Sequence, residues 1–449
     1  MTGETAGQLL ARVLSAAGIG AAYGRPLPGV PVHVVSDPGL ALLLAHAHRA
    51  VHATPAAAHL GEGTVVVTGA SPEADPGSSP GSPPARPGAR VVVDDAAALA
   101  AAAPAVGQAI ATSGLVLQLD LDLDAPVASR SLLALPPVAD VWQETDGDVV
   151  ADVAAAKRIV VLAGPGVVAQ RAVGGLHALA TAGRLGVLNT WGAKGVFHWQ
   201  SPHHWATVGL QELDFELGGL PGADLVLAVG IDEREAPSRL WAQYPHRVVA
   251  PASLAPLAAG WRGVVPSFTE MPPLRPRLAD VTQAGWASTT TPLVPSLVTR
   301  HYAQAVGDGG LVAADAGGAG FWVARTFATT RLGGASVPAG AVGGWAAACV
   351  LVARLVNPLR RAVAVVDGPL DDLTRAAVDE GARGGVAVGV EAWEEDGEDL
   401  GAESHRTRLE ELTAVGGVVT LATDGHQLGE MVNVAGPVRA WTNDIQYPQ

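Results

Sequence analysis

Short apolar runs that read as buried strands alternate with segments of helical spacing along the whole chain, and this alternation limits the fold more than any other feature. "VPVHVVSD" ends at Asp37 and leads into the helical "LALLLAHAHRAVHA". "AKRIVVLAGPGVVAQRAVGGLHALATAG" gives a strand, a Gly-Pro-Gly turn and a helix, and "AVVDGPLDDL" is a strand running into an Asp367-Gly368 turn. Strands and helices in alternation build α/β layers with mainly parallel sheets. The pattern repeats in three blocks, which fits the prior of one domain per ~150 residues for a chain of 449. The expected domains are residues 1–145, 146–290 and 291–449. Ser71 to Arg90, "SPEADPGSSPGSPPARPGAR", holds too much Pro, Gly and Ser to pack and is expected to be a mobile loop. "GLVAADAGGAGFWVART" is read as a strand of the third block, and "AAALAAAAPAVGQAIA" as a helix of the first.

Charge and cysteine content exclude several function classes. With 43 acidic against 28 basic residues and a net charge of -15, the chain repels polyanions, so nucleic acid is not an expected partner. One cysteine, Cys349, rules out an internal disulfide framework and suits a reducing cytoplasm. The first residues carry Glu4 and no basic stretch, and no uncharged apolar run approaches the roughly 18 residues of a membrane span. A cytoplasmic protein without membrane association is expected.

Several residues have side chains suited to chemistry. The turn at Asp367-Gly368 follows a buried strand, as a turn that holds a cation or a phosphate does, while Pro369 removes an N–H and Asp371 is read as facing solvent. The Gly-Pro-Gly turn at 164–166 has two readings: free amides at a helix N-terminus for an anion, or a tight structural crossover. His46, His48, His52 and His59 are read as one helical cluster, with His48 and His52 at chelating spacing but no Glu between them, so a solvated helix face competes with a metal site. The acidic run from Glu391 to Glu403 is read as a solvated loop, with a metal role for Glu391 or Glu394 as the alternative.

The order of "VVLAGPGVV", "TWGAKGVF", "GADLVLAVG", "GLVAADAGGAGFWVAR" and "GAVGGWAAACVLVARLVNPLRRAVAVVDG" resembles the thiamine-diphosphate-dependent family of acetolactate synthase and 2-oxo acid decarboxylase type. The resemblance implies a thiamine-diphosphate-binding fold: a pyrimidine-binding-like domain, a Rossmann-like central domain and a diphosphate-binding-like domain. It also implies a homodimer or homotetramer, with a partner subunit as a further option, acting on a small-molecule 2-oxo acid. Carried onto this chain, it places Asp37 at the catalytic position beside the pyrimidine, and Asp367, Gly368, Val342 and Gly344 around the cofactor. Asp367, Glu391 and Glu394 then become the Mg2+ ligands. Asp37 is one methylene shorter than the family's Glu, and it also reads as a helix cap ahead of Pro38. Val366 and Pro369 are expected to crowd the metal turn. The expected function is that of a thiamine-diphosphate-dependent carboligase or decarboxylase, the alternative a degenerate, non-catalytic member with an assembly, regulatory or other ligand-binding role.

Overall fold

The computed structural model describes residues 4–69, 87–110, 114–127, 148–265 and 270–441. It is a mixed α/β structure built on three sheets. The first contains β1 (Ala21–Gly24), β2 (His33–Val34), β3 (Ala56–Gly61), β4 (Thr64–Thr68), β5 (Arg90–Val93) and β6 (Gly114–Leu119), in the order β2-β1-β3-β4-β6-β5. Here β4 runs antiparallel to both of its neighbours, while the other pairings are parallel. Residues 71–86 of the expected mobile loop lie outside the described residues, and Arg90 already belongs to β5.

The second sheet, β7 (Ile159–Ala163), β8 (Gly186–Thr190), β9 (His204–Val208), β10 (Leu225–Val229) and β11 (His246–Val249), is wholly parallel in the order β11-β10-β7-β8-β9. The third, β12 (Leu311–Ala314), β13 (Ala335–Ser336), β14 (Ala362–Asp367), β15 (Gly389–Trp393) and β16 (Gly417–Leu421), is parallel in the order β13-β12-β14-β15-β16. Helices cover both faces of such sheets, so their strands are apolar throughout. Accordingly β7, β8 and β10 are buried along their whole length.

Strand β14 shows how the three parts are joined. Val363 and Val365 point into a core shared with the second sheet, one cluster that also contains Val226 and Trp241. Ala362, Ala364 and Val366 point the other way, into a core that includes Leu40, Leu43 and Ala47 of the N-terminal helix Pro38–His52. The third sheet therefore lies between the other two units, and the helix Pro38–His52 packs on the helix Trp345–Val356.

Three readings from the sequence are revised. "GLVAADAGGAGFWVART" is not one strand: β12 ends at Ala314, and Gly318–Thr326 is a helix that opens after Gly317. The helix expected around "AAALAAAAPAVGQAIA" is divided at Pro104 into Ala96–Ala101 and Ala103–Ala109, since proline cannot donate the amide that would continue the first. The histidines do not share a solvated helix face. His59 lies in β3, the helix Pro38–His52 is buried on nearly every side, and His48 is bonded to the Tyr23 hydroxyl at 2.8 Å and to the Thr54 hydroxyl at 3.1 Å.

One buried ion pair fastens the second unit to the third. Both Arg325 Nη2 contacts to the Asp214 carboxylate are 2.8 Å, and Asp214 Oδ2 also accepts the amides of Leu210 and Gln211. Both side chains are fully buried, so removing the carboxylate strands a guanidinium in the core. Asp214→Ala is expected to cost about 3–5 kcal/mol, read by urea unfolding. Asp372→Ala, whose Arg375 partner lies in solvent, should leave the unfolding midpoint unchanged.

Candidate functional site

The carboxyl ends of β12 and β14, and the N-termini of the helices Gly318–Thr326 and Trp345–Val356, form a cradle of backbone amides. Helix N-termini carry unpaired N–H groups and positive dipole ends, which makes such a place receptive to anions. In this chain three of those amides are already in use. Asp367 Oδ1 accepts the Ala319 amide at 2.8 Å, Asp315 Oδ1 the Ala346 amide at 2.7 Å, and Asp371 Oδ2 the Gly344 amide at 2.9 Å. Asp371 therefore does not simply face solvent: it also caps the helix Asp372–Arg383 by accepting the Thr374 amide at 2.6 Å.

Two of these carboxyls, those of Asp315 and Asp367, resist ionisation. Burial pushes the Asp315 carboxyl well above the usual range, and the negative charges of Asp371 and Asp367 push the same way. Asp367 as a residue is exposed at the end of its strand, but its carboxyl group is turned into the crevice. Desolvation there pushes it up to about 6, against the pull of the Ala319 and Gly318 amides. Water at the open side moderates that rise.

The turn itself is not crowded, contrary to the expectation from Val366 and Pro369. Gly368 has φ +66, and a Cβ placed on it would meet nothing within 4 Å. The two positions after Asp367 offer no free donor. The Gly368 amide goes to the Trp393 carbonyl at 2.8 Å, and Pro369 has none.

The other residues singled out in the sequence fall in different places. Asp37 caps the helix Pro38–His52 through the Leu40 amide at 2.8 Å, and the residue is exposed. Val342 is buried in the core shared with the N-terminal helix, and Gly344, at φ +68, precedes the helix Trp345–Val356. Glu394 begins the loop after β15 and is half-buried. Glu391, far from lying in a solvated loop, is in the core of the domain. One carboxylate oxygen accepts the Tyr302 hydroxyl and the Trp393 indole N–H, the latter at 3.2 Å, and the other meets His405 Nε2 at 2.9 Å. His405 Nδ1 faces His301 Nδ1 at 2.8 Å, and burial lowers His301 to about 3, so His301 is neutral and supplies or receives the one proton that bond needs. With both oxygens of Glu391 engaged, the cradle and this network are separate arrangements. Among the described residues no group of three or more acidic, histidine or cysteine side chains is placed to hold a metal.

At the second sheet, the Gly-Pro-Gly turn proves to be a crossover. The Gly164 and Gly166 amides donate to the Val229 and Gly230 carbonyls at 2.9 and 2.8 Å, and a Cβ on either glycine would come within 2.3–2.6 Å of Gly230. No amide of that pair is left for a phosphate. Beside the turn, however, lies a cavity of about 100 Å³ that no sequence motif marks. It is bordered by His46 and Arg49 of the N-terminal helix, Trp191 and Glu235 of the second unit, and Pro338 and Trp345 of the third. These residues are distant in the sequence and only the folded chain assembles them. Glu235 is 2% exposed, and Oε2 accepts the Gly192 amide at 3.0 Å. Burial, with the Asp232 charge behind it, pushes its carboxyl up to about 8.

Residues 148–250 match the family model described as the thiamine pyrophosphate enzyme central domain. Over these residues the chain is similar to the central domain of the thiamine-diphosphate-dependent enzymes. A comparison with curated proteins gives no match. The family's cofactor, thiamine diphosphate, carries a multiply charged diphosphate, and the cradle offers it three carboxylates in place of three free amides. As arranged, these residues do not fit the group.

Glu235 also sets a pH dependence. Below about 4.5 the group is protonated in both the folded and unfolded states and contributes no difference; as pH rises towards 8 the unfolded chain releases a proton that the folded chain keeps, and stability falls. Glu235→Gln should remove a slope of up to about 1.4 kcal/mol per pH unit in that window. Thermal unfolding of the two proteins should coincide near pH 4.5 and separate towards pH 8, with the variant the more stable.

Proposed function

We propose that this chain is a member of the thiamine-diphosphate-dependent family that has given up the cofactor's chemistry and keeps the three-unit scaffold for a ligand-binding, regulatory or assembly role. The observation that carries this reading is the use of the Ala319, Gly344 and Ala346 amides by Asp367, Asp371 and Asp315. A diphosphate entering there loses its donors and meets negative charge. The carboxylates that are ionised there repel a further anion more strongly in a partly desolvated crevice than in water. Association with a second copy or a partner subunit is part of the proposal, as the family resemblance implies, and a light-scattering mass tests it.

A second reading follows from one observation. A carboxyl pushed up to about 6 beside two others is a place where a divalent cation relieves repulsion. On that reading Asp367 takes Mg2+, thiamine diphosphate follows the metal, and the chain is a carboligase or decarboxylase of a small 2-oxo acid.

Calorimetry separates the two. The native protein is expected to give no heat with millimolar thiamine diphosphate, with or without Mg2+. An Asp367→Ala, Asp371→Ala double variant, with two amides freed and two charges removed, should take up inorganic pyrophosphate. Mg2+-dependent heat in the native protein, abolished by Asp367→Ala, would establish the enzyme reading instead.

A further inference from the structure

We propose that the cavity between the three units is a binding site for a small organic monocarboxylate with an apolar body, held by Arg49 and His46. The proposal rests on the reading that the chain binds a ligand outside the diphosphate cradle, and it names that ligand's class.

The position is where parallel α/β sheets bind ligands. In the order β11-β10-β7-β8-β9 the chain runs from β7 outward to β8 and β9 and then returns to β10 on the other side, so the switch of direction lies between β7 and β10. Ligands of such sheets sit beyond the carboxyl ends of the strands at this crevice. Pro165 and Val168 after β7, Trp191 and Gly192 after β8, and Glu235 after β10 border the cavity.

Two of the polar side chains there lack partners among the described residues. His46 is 3% exposed, and neither ring nitrogen has a hydrogen-bond partner among the described residues. Arg49 is 9% exposed, and its Nε and Nη1 have none. No carboxylate among the described residues pairs with Arg49 within salt-bridge distance, and the charge of Arg171 acts on it as well. Buried polar groups are nearly always bonded, and an unpaired buried cation is among the costliest exceptions. Nε and Nη2 form the side edge of a guanidinium that grips both oxygens of a carboxylate, as Arg234 grips Asp232 in this chain, and the unbonded Nη1 adds a donor on the neighbouring edge. His46 is three residues back on the same helix, and therefore on the same face, and adds one more donor.

The remaining walls choose the rest of the ligand. The indole N–H groups of Trp191 and Trp345 are already given to the Pro338 carbonyl and the Ser336 hydroxyl, at 3.2 and 3.1 Å, so their rings are apolar surface. Val337 and Val168 add to it. Glu235 across the cavity disfavours a doubly charged anion whenever it is ionised. A cavity of about 150 Å³ takes a benzene ring, so about 100 Å³ suits a carboxylate with a short carbon chain.

The test uses the full chain and butyrate as probe, in calorimetry, with inorganic phosphate and butylamine as the other arms. Butyrate is expected to bind at one site per chain, and neither other compound to give heat. Arg49→Gln should weaken butyrate at least tenfold, and Ala169→Leu, which fills the cavity and leaves the guanidinium in place, should do the same. If Arg49→Gln fails to fold, the Ala169→Leu result decides. Absence of butyrate heat, equal binding by the variants, or phosphate binding as tightly as butyrate overturns the assignment. Thiamine diphosphate titrated into the same protein keeps the two questions apart: its binding rejects the reading of the cradle and leaves the butyrate result to stand or fall alone.

Discussion

Strand β14 is packed on both faces, with Val363 and Val365 in the core shared with the second sheet and Ala364 and Val366 in the core shared with the N-terminal helix. A slip of one residue would turn every one of these side chains to the opposite core, so the register is held from two sides at once. The same restraint fixes the end of the strand. Asp367 leaves β14 at a set height, level with the first turn of the helix Gly318–Thr326, and its carboxylate meets the Ala319 amide. The neighbouring carboxylates arrive by equally fixed routes, Asp315 from the end of β12 and Asp371 from the cap of the next helix. Internal capping of the cradle is thus a consequence of packing, and a diphosphate would have to displace bonds that the two cores hold in place.

Much of the architecture was legible in the sequence, because parallel strands buried on both faces write themselves as continuous apolar runs. "IVVLA" and "AVAVV" are such runs, and each is a strand. β3, "AAAHLG", was missed for the same reason in reverse: its small residues carry neither alternation nor β-branching, and only its pairing with β1 and β4 makes it a strand. The site was legible only in part. Asp367 and Gly368 do form a turn at the end of a buried strand, and the spacing of Asp37 before Pro38 does give a helix cap. Whether an amide at that turn is free depends on the Trp393 carbonyl and on Asp371, which no local pattern encodes. Glu391 was misread because the acidic residues after it suggest solvent. The strand pairing opposite Val365 turns its side chain inward instead, onto Tyr302 and His405.

The resemblance that names the family is carried by the middle of the chain, and the physics of that part explains why. The turn at Gly164–Gly166 and its contact with Gly230 are backbone against backbone, so those positions tolerate glycine alone whatever the protein binds. A cradle of helix amides has no such constraint. Any acceptor of suitable size satisfies it, and a carboxylate from the chain itself serves as well as a phosphate oxygen.

The two anion positions of this molecule are opposites. Both sit at the carboxyl ends of parallel strands, where the helix termini gather, and both adjoin the helix Trp345–Val356: the Gly344 and Ala346 amides belong to the cradle and the Trp345 ring to the cavity. In the cradle the chain supplies its own negative charge and satisfies the donors. In the cavity it supplies a guanidinium and an imidazole and, among the described residues, gives their unbonded nitrogens no acceptor, although acidic residues outnumber basic ones 43 to 28 in the sequence. In a chain so rich in carboxylates, a buried arginine without one is hard to ascribe to a shortage of partners. The desolvation cost of Arg49, seen in its lowering to about 10, is carried by the packing of three units around it, and a bound carboxylate is the interaction that would offset it.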